Sequence, residues 1–148
     1  MTESLNKVIQ GNLQQLKKEM SAYNNEEDIW ALDGEILNTA GNLCLHLCGN
    51  LQHFIGTVLG NSGYVRQRDA EFSTKNVSVS ELLMLIDNTM EVISSTLSTL
   101  DDDSLAQLYP ENISKSPMTT EHMLIHLTSH LGYHIGQINY HRRLIVTN

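Results

Sequence analysis

The chain has 148 residues, of which 17 are acidic and 9 are basic, and its formal net charge at pH 7 is -8. An acidic surface repels phosphate backbones, which argues against a nucleic-acid partner. No apolar run of about 18 residues occurs, so we expect no transmembrane helix. The polar N-terminal stretch lacks the apolar core of a signal peptide, and we therefore expect a cytoplasmic protein.

The length is that of one domain, and we expect residues 1–148 to form a single unit with one core. The only two cysteines, Cys44 and Cys48, are too few for a disulfide framework. Residues four apart on a helix seldom reach disulfide geometry. Both cysteines are therefore predicted to be reduced core residues.

Four segments show the three- and four-residue spacing of apolar side chains that is typical of amphipathic helices, and no segment predicts a strand. In chain order they run from Ser4 to Tyr23, from Ile36 to Leu59, from Val79 to Leu100 and from Thr119 to Val146. Four helices of this length predict an all-α four-helix bundle. The connections at 61–78 and 101–118 are long for a bundle, so the helix order stays open.

Local signals support several of these helix ends. Ser78 and Glu81 form a capping-box pattern before the third helix. A threonine follows Pro117 and can cap the fourth helix. The acidic run at 101–103 would oppose the helix dipole, so it is predicted to be a solvated turn outside the third helix.

The fourth helix carries His122, His126, His130 and His134 at intervals of four residues, followed by His141. Side chains four apart on a helix stack on one face, so two imidazoles can bind one metal ion. At about 100° per residue, His130 and His134 border the buried apolar stripe, whereas His122 points towards solvent. His130 and His134 are therefore the first candidate pair, and His126 with His130 is the second.

A third ligand is expected from the second helix, which holds His46 and His53. These two differ by only about 20° around the helix, so their angles do not separate them. The cysteines on either side of His46 point about 160° away, which argues against a mixed cysteine and histidine zinc site. Gly49 follows His46 and allows close approach of another helix or a ligand.

Two sequence motifs resemble the DinB-like superfamily, which includes YfiT-type metal-dependent hydrolases and bacterial thiol transferases. They are N-L-C-L-H-L-C-G-N-L at 42–51 and H-L-G-Y-H-I-G-Q-I-N-Y-H-R-R-L at 130–144, and R-Q-R-D-A-E-F at 66–72 resembles a loop in one DinB branch. The resemblance implies a four-helix bundle, commonly a homodimer, with one divalent metal per subunit. It assigns the metal to His46, His130 and His134. Zinc and nickel suit three imidazoles best, while iron and manganese stay open.

Two functions follow from this site. The first is a metal-dependent transferase, of the thiol S-transferase type, or a hydrolase, in which an open three-histidine site activates water or a low-molecular-weight thiol for attack on a small electrophile. The alternative is a non-catalytic, metal-stapled bundle that acts as a stress-associated or interaction module. An interaction bundle without metal is a third interpretation.

The remaining polar candidates have two interpretations each. Asn50 lies one turn after His46 and either supports the metal site or is a core amide. The 66–71 segment is predicted to brace a loop by ion pairs, with an anchor for an anionic substrate as the alternative; its charged residues are Arg66, Arg68, Asp69 and Glu71. His126 is expected in a structural or supporting role. The other histidines are expected to be structural or exposed: His53, His122 and His141.

Overall fold

The computed structural model describes residues 1–145 and is all-helical there, with no strand. Its α-helices are α1 (Thr2–Ser21), α2 (Ala40–Leu51), α3 (Arg68–Ser73), α4 (Val79–Leu97), α5 (Asp102–Ala106) and α6 (Thr120–Ile145). A 3-10 helix (Glu26–Trp30) precedes α2, and a π-helix (Gln52–Thr57) continues it. The predicted end of the fourth helix at Val146 lies outside the described residues.

The four long helices form the predicted bundle. Helices α1 and α2 each pack against both α4 and α6, so α1 and α2 occupy opposite corners. The chain therefore crosses the bundle diagonally between α1 and α2 and again between α4 and α6. Helices α1 and α2 follow each other in the chain but lie at opposite corners of the bundle. An arrangement in which every helix packs beside the next one in sequence is therefore excluded. The two long connections are present, and they contain the short helices α3 and α5.

The second helix begins later than the predicted Ile36, because Thr39 is its N-cap and accepts a hydrogen bond from the Asn42 N–H. It also departs from α-helical geometry after Leu51, in a π-helical turn that the apolar pattern does not reveal. The Phe54 carbonyl in this turn accepts a hydrogen bond of 2.7 Å from the Tyr109 hydroxyl. The bond ties the turn to the connection that follows α5.

Capping hydrogen bonds confirm the predicted starts of two other helices and correct the prediction for the acidic run at 101–103. The Ser78 and Glu81 capping box is present at α4, and the Thr119 hydroxyl accepts the His122 N–H at the start of α6. The acidic run at 101–103 is not a plain turn, because Asp101 caps the short helix α5. Carboxylates in a first helical turn are favoured by the dipole, which explains this placement.

The core is one continuous apolar cluster between the long helices. Cys44 and Cys48 are both buried and unpaired, as expected. Within the described range, no helix combines the length and apolarity that a membrane span requires.

Candidate metal centre

Three imidazoles converge where α2 faces α6. His46 comes from α2 and is buried, while His130 and His134 come from successive turns of α6 and are partly exposed. The Nε2 atom of His130 lies 3.3 Å from Nε2 of His46 and 3.1 Å from Nε2 of His134. One ring nitrogen of each residue lies within 4.8 Å of the others. The structure thus brings together the three residues that the sequence suggested.

This spacing fits a metal ion. With metal–nitrogen bonds of about 2.1 Å, neighbouring ligand nitrogens in a tetrahedral or octahedral site are roughly 3.0–3.4 Å apart. The two short Nε2–Nε2 distances fall in that range. A cation between the three rings would accept the lone pairs of all three nitrogens at once. The group could therefore hold a metal ion.

Hydrogen bonds on the far side of two rings select the required tautomer. His46 Nδ1 lies 3.1 Å from Glu71 Oε1, and His134 Nδ1 lies 2.6 Å from Gln137 Oε1. Because both oxygens are acceptors, each Nδ1 is assigned the proton, which leaves the Nε2 lone pair facing the centre. Partners of this kind orient metal-binding histidines and raise their basicity.

Glu71 is itself held in place by Arg66. The guanidinium donates to both carboxylate oxygens, at 2.9 and 3.0 Å, and the carboxylate is buried. Burial alone would raise the pKa of Glu71, but the hydrogen bonds from His46 and Arg66 hold it below its usual value. Glu71 therefore remains an anion, as an acceptor for His46 must.

Gly49 makes this arrangement sterically possible. Gly49 lies about one helical turn after His46, and a Cβ at position 49 would overlap the Glu71 carboxylate. The expectation of a close approach at this glycine is confirmed, and the approaching group is the carboxylate that orients His46.

The two histidines on α6 are poised as neutral ligands. Burial, with His134 and His46 nearby, lowers the pKa of His130 to about 4. Burial also lowers the pKa of His134, against an opposing hydrogen bond to Gln137. Both imidazoles are therefore neutral at pH 7, so a metal would not have to displace protons there.

The triad opens into a cavity of about 420 Å³. Beside the three histidines, it is lined by Asn38, Leu43, Asn50, Phe54, Arg66, Arg68 and Phe72. The Phe72 ring centroid lies 4.9 Å from that of His46. A small molecule entering the cavity would meet the three histidines of the triad.

The sequence model of the DUF1572 family, described as proteins of unknown function, matches residues 2–148. The chain belongs to the DUF1572 family. Its fold is similar to a crystal structure described as the conserved protein of a locus from Enterococcus faecalis, with a TM-score of 0.76 and 13% sequence identity. That similarity covers 99% of this chain and 97% of the other, and it establishes the fold alone. The sequence matches no curated protein.

The other histidines of this DUF1572 member lie outside the triad. His53 pairs with Glu111 at 3.1 Å, and His141 is buried between the Tyr23 hydroxyl and the Ala31 carbonyl, at 2.7 and 2.8 Å. His122 and His126 are exposed. His53 and His141 therefore have structural roles. The second candidate pair, His126 with His130, does not form the cluster, whereas the first pair, His130 with His134, does.

Two contacts of the centre were not predicted from the sequence. The role of Glu71 towards His46 was missed, because the residues are 25 positions apart and meet only through the fold. Gln137 was also missed, although it lies three residues after His134 on the same helix and that spacing could have revealed it. Within residues 1–145, the predicted ion-pair bracing is confirmed for Arg66 with Glu71 only.

Proposed function

We propose that this DUF1572 protein binds one divalent metal ion through His46, His130 and His134. The convergence of three Nε2 atoms supports the proposal. Zinc or nickel suits an all-imidazole ligand set best, and iron or manganese would also be accepted. The motifs around these histidines also support placing the family in the DinB-like superfamily.

We further propose that the site is catalytic, as a metal-dependent transferase of the thiol type or a hydrolase. The observation that carries this proposal is the cavity of about 420 Å³ on the triad. Three protein ligands leave at least one coordination position free. When bound, the metal would supply Lewis-acid activation of a small nucleophile, either water or a thiol.

The chain's own residues have distinct tasks in this proposal. Glu71 and Gln137 fix the orientation and tautomer of two ligands. Phe54 and Phe72 line the cavity and exclude water from one side of a bound molecule. Asn50 has a buried carbonyl oxygen without a hydrogen-bond partner among the described residues, which would orient an N–H or O–H group of the substrate once the amide turns towards the cavity.

The competing function is a structural metal that staples α2 to α6. It has some support, since the triad joins those two helices. A purely structural site, however, is normally closed by four protein ligands. The cavity beside the triad favours the catalytic interpretation.

Cobalt substitution separates the two functions. We expect the visible spectrum of the cobalt-loaded protein to change when a small thiol is added, because an open position accepts the thiolate. An unchanged spectrum, together with a large fall in melting temperature on chelation, would contradict catalysis and favour the staple.

We also propose that the protein is a homodimer. Support comes from large apolar side chains exposed along one side of α6, with Tyr133 and Tyr140 each 65% exposed and Leu144 56% exposed. Tyr133 and Tyr140 are two turns apart and share a face. Light scattering at micromolar concentration should give twice the chain mass, and a monomer mass would contradict the proposal.

A further inference from the structure

We infer that the cavity on the triad binds a small organic acid that also carries an N–H or O–H donor, with Arg68 pairing with the acid group and Asn50 accepting from the donor. This inference rests on the proposed function, because it names the substrate class of the same site. Four observations carry it: the charge of the lining, the free guanidinium of Arg68, the unpartnered oxygen of Asn50, and the apolar walls.

The cavity lining is cationic in an acidic protein. The chain has a formal net charge of -8. Nevertheless, the lining includes two arginines, Arg66 and Arg68, and no aspartate or glutamate of the described residues. Arg66 is paired with the anion Glu71, so the net positive charge comes from Arg68. A metal dication at the triad would add positive charge to the same space. A low-dielectric cleft of one sign attracts ligands of the opposite sign.

The two arginines differ in their availability. Arg66 donates two hydrogen bonds to Glu71 and thereby holds the carboxylate that orients His46. Arg68 is exposed, with its guanidinium 5.4 Å from the Phe72 ring centroid. Within residues 1–145, Arg68 forms no ion pair with a carboxylate. Its planar group is therefore free for a bidentate contact with an acid.

Asn50 supplies the second recognition element. Its side chain is only 8% exposed and lines the cavity, and its Oδ1 atom has no hydrogen-bond partner among the described residues. A buried polar atom without a partner costs free energy, and such atoms are few in folded proteins. The oxygen is fully buried, so a donor on the ligand would satisfy it once the amide turns the oxygen towards the cavity.

Apolar groups fill the space between these polar elements. Leu43, Phe54 and Phe72 line the same cavity. They would contact a short carbon skeleton between the acid and the reacting group. The volume of about 420 Å³ suits a small metabolite.

A matched pair of compounds tests the inference. N-acetylcysteine carries a carboxylate, an amide N–H and a thiol, and N-acetylcysteine amide has a neutral carboxamide in place of the carboxylate. We would measure both dissociation constants by isothermal titration calorimetry on protein of known metal content. We expect the acid to bind about tenfold more tightly than the amide, as for one charge-assisted contact.

Two arginine variants locate the contact. Arg68→Gln should remove the preference for the acid. Arg143→Gln is the matched control, because the Arg143 guanidinium also lies 5.4 Å from an aromatic ring centroid, that of Tyr140, and Arg143 does not line the cavity. The control variant should keep the preference.

The outcomes separate this inference from the metal proposal. Equal affinities for acid and amide, no binding of the acid at millimolar concentration, or equal losses in the two arginine variants would overturn the inference, whatever the metal content. An acid preference that depends on Arg68 in a protein that takes up no metal would support the inference and overturn the proposed function instead.

Discussion

The Nδ1 atom of His46 lies 3.1 Å from the Glu71 carboxylate, a contact between α2 and α3 that spans 25 positions of sequence. Arg66 holds the other side of the same carboxylate. The contact fixes how His46 presents Nε2 to the two histidines of α6. The centre thus depends on a short helix that lies outside the four-helix bundle.

Glu71→Gln should weaken metal binding about 10- to 100-fold, as is typical when the partner of a metal-binding histidine is lost. Competition with a chromophoric chelator would measure the affinity. Asp69→Asn removes an exposed carboxylate from the same short helix and serves as the control. Equal affinities of the two variants would contradict a role for Glu71.

Gly49→Ala should also weaken metal binding, because the added methyl group would displace the Glu71 carboxylate. Gly132→Ala is a matched control, since a Cβ there meets nothing within 4 Å, and Gly132 lies between the two ligands of α6. The control should keep its metal and gain about 0.5–1 kcal/mol in free energy of unfolding. Chelator competition and thermal melting would measure both effects, and full affinity in Gly49→Ala would be the contrary result.

Much of this architecture follows from local patterns. Helical periodicity predicts the four long helices, and the four-residue histidine spacing predicts the pair on α6. Angle alone could not choose between His46 and His53, because both share one face of the helix. The fold makes the choice, since Glu111 engages His53 while His46 meets the triad.

Long-range contacts account for what the sequence did not predict. The sequence predicted one ion-pair network among the charged residues at 66–71. In the structure, Arg66 pairs with Glu71, whereas Arg68 lines the cavity. The π-helical turn after Leu51 accepts a hydrogen bond from Tyr109, which is distant in sequence. Such pairings become visible only once the helices are packed.

Acidification should release the metal. Burial holds the pKa of His130 near 4, below its usual value of 6.5. Protonation of His130 is therefore disfavoured in the folded state, and stability falls as the pH drops from about 6.5 towards 4. Metal and protons compete for the same nitrogens, and His130 takes up a proton in the folded protein only near pH 4, so bound metal should be lost as the pH falls through about 4. Metal retained after dialysis well below pH 4 would indicate other ligands.

Asn50→Leu should leave the melting temperature unchanged or raise it, because the variant removes a buried oxygen that has no partner. Asn42→Leu is the comparison on the same helix. The Asn42 amide donates to the Glu71 and Thr74 carbonyls at 2.9 and 2.7 Å, so its loss should cost about 1–3 kcal/mol. Equal destabilisation in thermal melting would mean that Asn50 has a structural role.

The central claim is that His46, His130 and His134 bind one metal ion, and elemental analysis of untagged protein tests it most directly. We expect about one equivalent of metal per chain in the wild type and in the control His126→Ala, whose side chain is exposed outside the triad. His46→Ala, His130→Ala and His134→Ala should each lose it. A wild type that takes up neither zinc nor nickel, or three alanine variants that all retain the metal, would contradict the claim.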